Sequence, residues 1–199
     1  TMRTELQELQ NELGVTTCYV THDQTEAMAM GDRIAVLNEG ELQQVGTASD
    51  VYRSPTNEFV AGFIGSPSIN TFTADVEEAT LHGPGGFEYT LGDPSFVEGH
   101  DRIRVGIRPE DMRLDPEGGM PGEVTVVEEM GNENFLYATM GEIDLTARIE
   151  SKMHPDEGMS VDFGFDEADL YLFDSNTQES IKTKTSETDV DYQQYVTGD

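Results

Sequence analysis

The chain has 199 residues and a mass of 22.0 kDa, with 40 Asp and Glu against 11 Lys and Arg and a formal net charge of −29. Three lysines, Lys152, Lys182 and Lys184, and an acid excess spread over the whole length exclude a surface that tracks phosphates, because nucleic acid and anionic membranes are gripped by clustered cations. No apolar run approaches the roughly 18 residues of a membrane span, and the single cysteine, Cys18, can make no internal disulfide, which fits a reducing compartment.

The chain opens inside a helical pattern and without Met. Thr1-Met2-Arg3-Thr4-Glu5 leads into polar helix rather than an apolar signal segment, so it reads as a piece of something longer. Met2, Leu6, Leu9 and Leu13 recur at helical spacing, and Gly14 stops the helix. Val15-Thr16-Thr17-Cys18-Tyr19-Val20-Thr21 is a β-branched apolar run too short for a helix. It predicts a buried strand, parallel to its neighbours, with Cys18 as a small core residue. His22-Asp23 follows, then a short helix from Gln24 to Met30 that Asp23 caps, with Glu26 at capping-box spacing. Arg33 to Leu37 is the next strand, and Asn38-Glu39-Gly40 turns it into a partner, Glu41 to Val45. Thr47 and Asp50 cap a helix to Arg53, and Asn57 starts another at Glu58.

From Gly65-Ser66-Pro67 onward the helical periods vanish. Short β-rich segments recur at 71–76, 87–91, 102–107, 122–129, 134–140, 143–149, 160–163 and 169–172, the pattern of a small barrel or sandwich. The fold class expected is therefore an α/β fragment over 1–65 followed by an all-β, OB-like barrel domain over 66–173. Residues 174–199 are rich in Ser, Thr, Asp, Gln and Glu and predict a solvated, disordered tail. Uniform acid with scarce lysine reads as adaptation to molar salt. There the Debye length is about 3 Å, so self-repulsion is screened while hydrated carboxylates keep the chain soluble. A basic partner is the competing reading.

Taken as chemistry alone, His22 at the carboxyl end of a strand sits where α/β sheets bind ligands, and an imidazole there can donate to a phosphate oxygen. The segment Val20-Thr21-His22-Asp23-Gln24-Thr25-Glu26-Ala27-Met28 through Arg33-Ile34-Ala35-Val36-Leu37 resembles the switch-histidine region of ABC-transporter ATPases. Its continuation, Asn38 to Thr47, Asp50 to Pro55 and Phe59 to Gly65, is similar to the sugar and glycerol-phosphate importer branch, with a small departure at Ala48, where that branch usually has Pro. Val105-Gly106-Ile107-Arg108-Pro109-Glu110-Asp111, Glu128 to Glu133 and Asp169 to Asp174 resemble the branch's C-terminal regulatory domain, of TOBE type and OB-like fold.

The resemblance implies the energy-coupling subunit of an importer for sugars or related small solutes, using ATP and Mg2+ in the complete subunit. It implies a homodimer of ATPase subunits seated on transmembrane permease subunits, peripheral at the cytoplasmic face of the membrane, with no nucleic-acid partner. By the same resemblance His22 is the catalytic residue, contacting the γ-phosphate and helping to place the attacking water. A P-loop, G-x-x-x-x-G-K-[ST], appears nowhere, since no lysine here follows a glycine, and neither does a Leu-Ser-Gly-Gly signature. The chain thus looks like a C-terminal fragment that should neither bind ATP tightly nor hydrolyse it alone, and no cofactor-binding or metal residue is assigned within it. The alternative is a stand-alone OB-type module that binds a small ligand and has no ATPase activity.

Other groups carry less. His22, Asp23 and Glu26 could be drawn as a metal set, but capping accounts for both carboxylates. Arg102 and Arg104 share one strand face and, with Arg108, form a basic cluster. Either they hold an anion or they pair internally with Glu110, Asp111 or Asp115. His82, His100 and His154 are expected in turns, and the nine methionines as gap-fillers.

Overall fold

The computed structural model describes residue 9 and residues 12–184, and its contacts divide into two compact units between Ser68 and Ile69. Of the first predicted helix, Leu9, Glu12 and Leu13 are helical, and the rest lies outside the described residues. The first unit then runs α1 (Gln24–Met30), β1 (Ile34–Asn38), β2 (Glu41–Gly46), α2 (Ala48–Arg53) and α3 (Glu58–Phe63). β1 and β2 form an antiparallel hairpin whose turn places Glu39 and Gly40 at φ 50° and 87°, the left-handed pair such tight turns require. Alternation in β1 turns Ile34 and Val36 inward onto Val51, Val60 and Ile64, with Ala27, Met28 and Phe59 around them.

The helices of this unit are short and depend on their caps. The Thr47 hydroxyl accepts from Asp50 N at 3.2 Å while the Asp50 carboxylate accepts from Thr47 N at 2.8 Å, the predicted capping box. These bonds from the Thr47 backbone, then from its side chain, hold the Asp50 carboxyl below its ordinary value. Asn57 caps α3 through Val60 N.

The strand predicted over 15–21 does not form. Residues 15–20 carry no regular structure, Val15, Tyr19 and Val20 are exposed, and Cys18 is exposed rather than core. A parallel strand needs a neighbour for its hydrogen bonds. Among the described residues, β1 and β2 pair only with each other.

The second unit is all β, two sheets around one core, and fits the OB-like expectation. One sheet has the order β10–β9–β8–β11–β7, built on the meander β8 (Met120–Glu129), β9 (Glu133–Met140) and β10 (Ile143–Glu150), with β11 (Ser160–Gly164) and β7 (Arg113–Leu114) beside it. The other has the order β13–β12–β6–β3–β4–β5, from β3 (Asn70–Glu77), β4 (Thr80–His82), β5 (Glu88–Thr90), β6 (Arg102–Ile107), β12 (Tyr171–Asp174) and β13 (Ser180–Lys182). Period-2 burial sends Leu136, Ala138 and Met140 of β9 and Leu145, Ala147 and Ile149 of β10 into the same core as Phe72, Ile103, Val105, Phe163 and Leu172. β4, β7 and β13 were not predicted, since two or three residues are too few to show a period.

Asn70 joins the sheets. Its amide donates to Thr146 O at 2.8 Å and Ile107 O at 3.1 Å, and its oxygen accepts from Thr146 N at 2.7 Å, so a buried amide bridges β3 to β10. Backbones also close in at Gly118, where a Cβ would run into the backbone carbonyl of Phe163.

The predicted tail begins too early. β13 pairs with β12, and Lys182 Nζ donates to the carbonyls of Glu167 and Leu170 at 2.7 and 2.8 Å, so residues through 184 belong to the fold. Residues 185–199 of that predicted tail lie outside the described residues.

Candidate functional site

His22 occupies the bend between the irregular segment 15–20 and α1, and it is exposed. The turn is built by its neighbours. Asp23 caps α1 by accepting from Thr25 N at 2.8 Å and Glu26 N at 3.2 Å. Asp23 N donates to Thr21 Oγ1 at 3.0 Å, and the Thr21 hydroxyl donates in turn to Glu26 Oε2 at 3.0 Å. The Glu26 carboxylate also accepts from the Tyr19 hydroxyl at 3.1 Å. Glu26, expected to complete a capping box, is thus drawn onto two hydroxyls of the preceding segment.

One further contact ties this turn to another element. Gln24 Nε2 donates to Gly65 O at 3.2 Å and Gln24 Oε1 accepts from Gly65 N at 2.6 Å, across 41 residues. With Asp23, Glu26 and Gln24 so used, the arrangement presents an imidazole outward on a fixed turn. That geometry suits contact with a group brought from outside. Among the described residues, no group of three or more His, Cys, Asp and Glu could hold a metal ion.

The arginine cluster resolves into separate structural uses. Arg102 Nε pairs with Asp75 Oδ1 at 2.8 Å across the β3–β6 pair, not with the three carboxylates expected. Arg104 donates to the hydroxyls of Thr71 and Thr73 at 2.9 and 3.1 Å. Arg108 is fully buried, 5.4 Å from the Tyr171 ring, with Nε donating to the Tyr171 hydroxyl at 3.4 Å. Asp115 meets Arg113. The outward-facing basic patch that an anion would need is not assembled. His82 lies in β4 rather than a turn, between Glu77 and Glu88, while His100 lies 3.3 Å from Asp174 and His154 3.2 Å from Glu129.

A polar cluster that the sequence did not single out lies at the end of the second unit. Lys184 Nζ bridges Asp111 at 2.6 Å and Asp169 at 2.8 Å, and all three side chains are mostly buried. Burial pushes the Asp111 carboxyl up against the opposing pull of Lys184, and its Oδ2 has no hydrogen-bond partner among the described residues. Burial likewise pushes the Lys182 ammonium down. The available signal was compositional: two of three lysines in a strongly acidic chain sit two residues apart.

Residues 105–173 match the family model described as the TOBE domain. The xylose/arabinose import ATP-binding protein XacK of Haloferax volcanii is 46% identical over 193 residues, covering 92% of this chain and 50% of that protein. The trehalose/maltose import ATP-binding protein MalK of Thermococcus litoralis is 43% identical over 196 residues, covering 90% and 52%. The sn-glycerol-3-phosphate import ATP-binding protein UgpC of Escherichia coli is 37% identical over 184 residues, covering 90% and 52%. The chain is a homologue of ABC-importer ATP-binding subunits. It spans about half the length of these relatives, over the C-terminal portion that carries the TOBE domain. The solved structure of the cytoplasmic molybdate-binding protein ModG covers 52% of this chain and 94% of its own, at 13% identity and a TM-score of 0.41, a likeness too remote to bear on this chain. In this importer-subunit homologue the second unit contains the TOBE match, and the first contains the His22 turn.

Proposed function

We propose that the chain is the C-terminal portion of the ATP-hydrolysing, energy-coupling subunit of an ABC importer for sugars or related small solutes. The observation that carries this reading is similarity running through both units, over about nine-tenths of the chain, to importer ATP-binding subunits. A stand-alone TOBE module would have no use for the first unit, and the similarity includes it.

In this reading His22 is the catalytic residue the chain contributes. Its exposed imidazole donates to an oxygen of the γ-phosphate and helps to orient the attacking water. Catalysis of phosphoryl transfer is positioning plus charge stabilisation, and the braced Thr21-to-Glu26 turn supplies the positioning. No sequence pattern of this chain cradles the other phosphates or holds magnesium, so ATP and Mg2+ bind chiefly to the remainder of such a subunit. Working partners are a second ATPase subunit and the permease. Among the described residues no helix is long and apolar enough to cross a membrane, and the subunit is peripheral, held at the cytoplasmic face through the permease.

The test is His22→Ala in the full-length subunit assembled with its permease. Hydrolysis should fall by about 100-fold or more while ATP still binds, since general acid–base and positioning contributions reach that size. Undiminished hydrolysis would remove His22 from the mechanism. This chain alone should give no ATP turnover above background.

A further inference from the structure

We propose that Gln24 is a positioning residue for His22, anchoring the histidine turn to the end of α3 through the backbone of Gly65. The inference rests on the catalytic reading of His22 given above.

α1 is seven residues long and has no fully buried residue, so packing alone fixes it weakly. The hydrogen bonds of Thr21, Asp23 and Glu26 described above stay within the turn and set its shape. Those of Gln24 leave it and set its place. Gln24 is the first residue of α1, two after His22, and its amide engages both polar groups of Gly65 at once. Two bonds from one planar amide fix orientation as well as distance, which a single bond does not.

The receiving end is prepared for this. α3 ends with Ile64 N donating to Val60 O, and the next residue, Gly65, stands at φ 132°, a conformation that favours glycine. Its amide and carbonyl turn away from the helix and find the Gln24 side chain instead of water. Where the histidine must stand within tenths of an ångström of its phosphate oxygen, releasing this anchor degrades the reactive geometry more than nucleotide affinity.

The first unit contains an internal comparison. Gln44 on β2 grips the chain in the same manner, with Nε2 donating to Ser54 O at 3.0 Å and Oε1 accepting from Thr56 N at 2.9 Å, but on an element that does not carry His22. It is a structural clamp of equal chemistry.

The experiment uses the full-length subunit assembled with its permease and compares His22→Ala, Gln24→Ala, Gln24→Glu and Gln44→Ala. Gln24→Ala should lower kcat about tenfold with KM for ATP within about twofold, and should speed amide hydrogen exchange at Gly65. Gln24→Glu keeps the acceptor for Gly65 N–H and loses the donor, so it should fall between Ala and the parent. Gln44→Ala should lose stability with kcat retained. If His22→Ala hydrolyses ATP normally, the catalytic reading of His22 falls, and this inference with it. If His22→Ala is inactive but Gln24→Ala keeps the parent kcat, the anchor alone is overturned. Equal kcat losses in Gln24→Ala and Gln44→Ala would likewise reduce Gln24 to a clamp.

Discussion

Among the described residues, Asn70 is one of few buried polar side chains, and both polar atoms of its amide are committed. Asn70 has three backbone partners, so replacing it removes a bridge and also strands what it served. Asn70→Ala should leave the amide of Thr146 and the carbonyls of Thr146 and Ile107 short of partners inside the core, at a cost of about 2–4 kcal/mol. Urea unfolding of the variant would show it, and a loss under about 0.5 kcal/mol would mean the two sheets hold without the bridge. His22 differs at the same scale, since its neighbours are engaged and its own ring faces solvent.

At the scale of the element, caps decide where the short helices begin. α2 starts at Ala48, with Thr47 at φ −67° and ψ 168°, an extended geometry that a following proline tolerates. A proline at the first helical position fits without loss, since that N–H has no partner inside the helix. Ala48→Pro should therefore raise stability by about 0.4–1 kcal/mol, by narrowing the unfolded ensemble. Thermal melting should register a small increase, and a decrease would show that the Ala48 amide is in use. The same local logic made the first unit's later elements legible. Thr47, Asp50 and Asn57 announce α2 and α3, and Asn38-Glu39-Gly40 announces the hairpin. The strand over 15–21 was misread because a β-branched run states a propensity, whereas a strand requires a partner. The segment 180–182 was misread because pairing with β12, a non-local contact, orders a polar run that has no period of its own. The His22 turn could be read from its motif. The Gln24–Gly65 contact, 41 residues apart, could not.

For the whole molecule the governing quantity is a net charge of −29 on 199 residues. Such self-repulsion opposes any compact state and is screened as salt rises, from a Debye length of about 10 Å at 0.1 M to about 3 Å at 1 M. The thermal midpoint should therefore climb steadily from 0.1 M to 2 M KCl. A flat or falling curve would mean that acidic surface is instead committed to a basic partner.

The placement of the three lysines has a consequence for reactivity. Lys152 is open to solvent, its side chain 75% exposed beside Glu150, whereas Lys182 and Lys184 are held by carbonyls and carboxylates at the close of the second unit. An acylating reagent should thus modify Lys152 rapidly and the other two only when the last strand peels from its sheet. Adducts at Lys182 and Lys184 would then act as a clock for that peeling, separate from melting of the core.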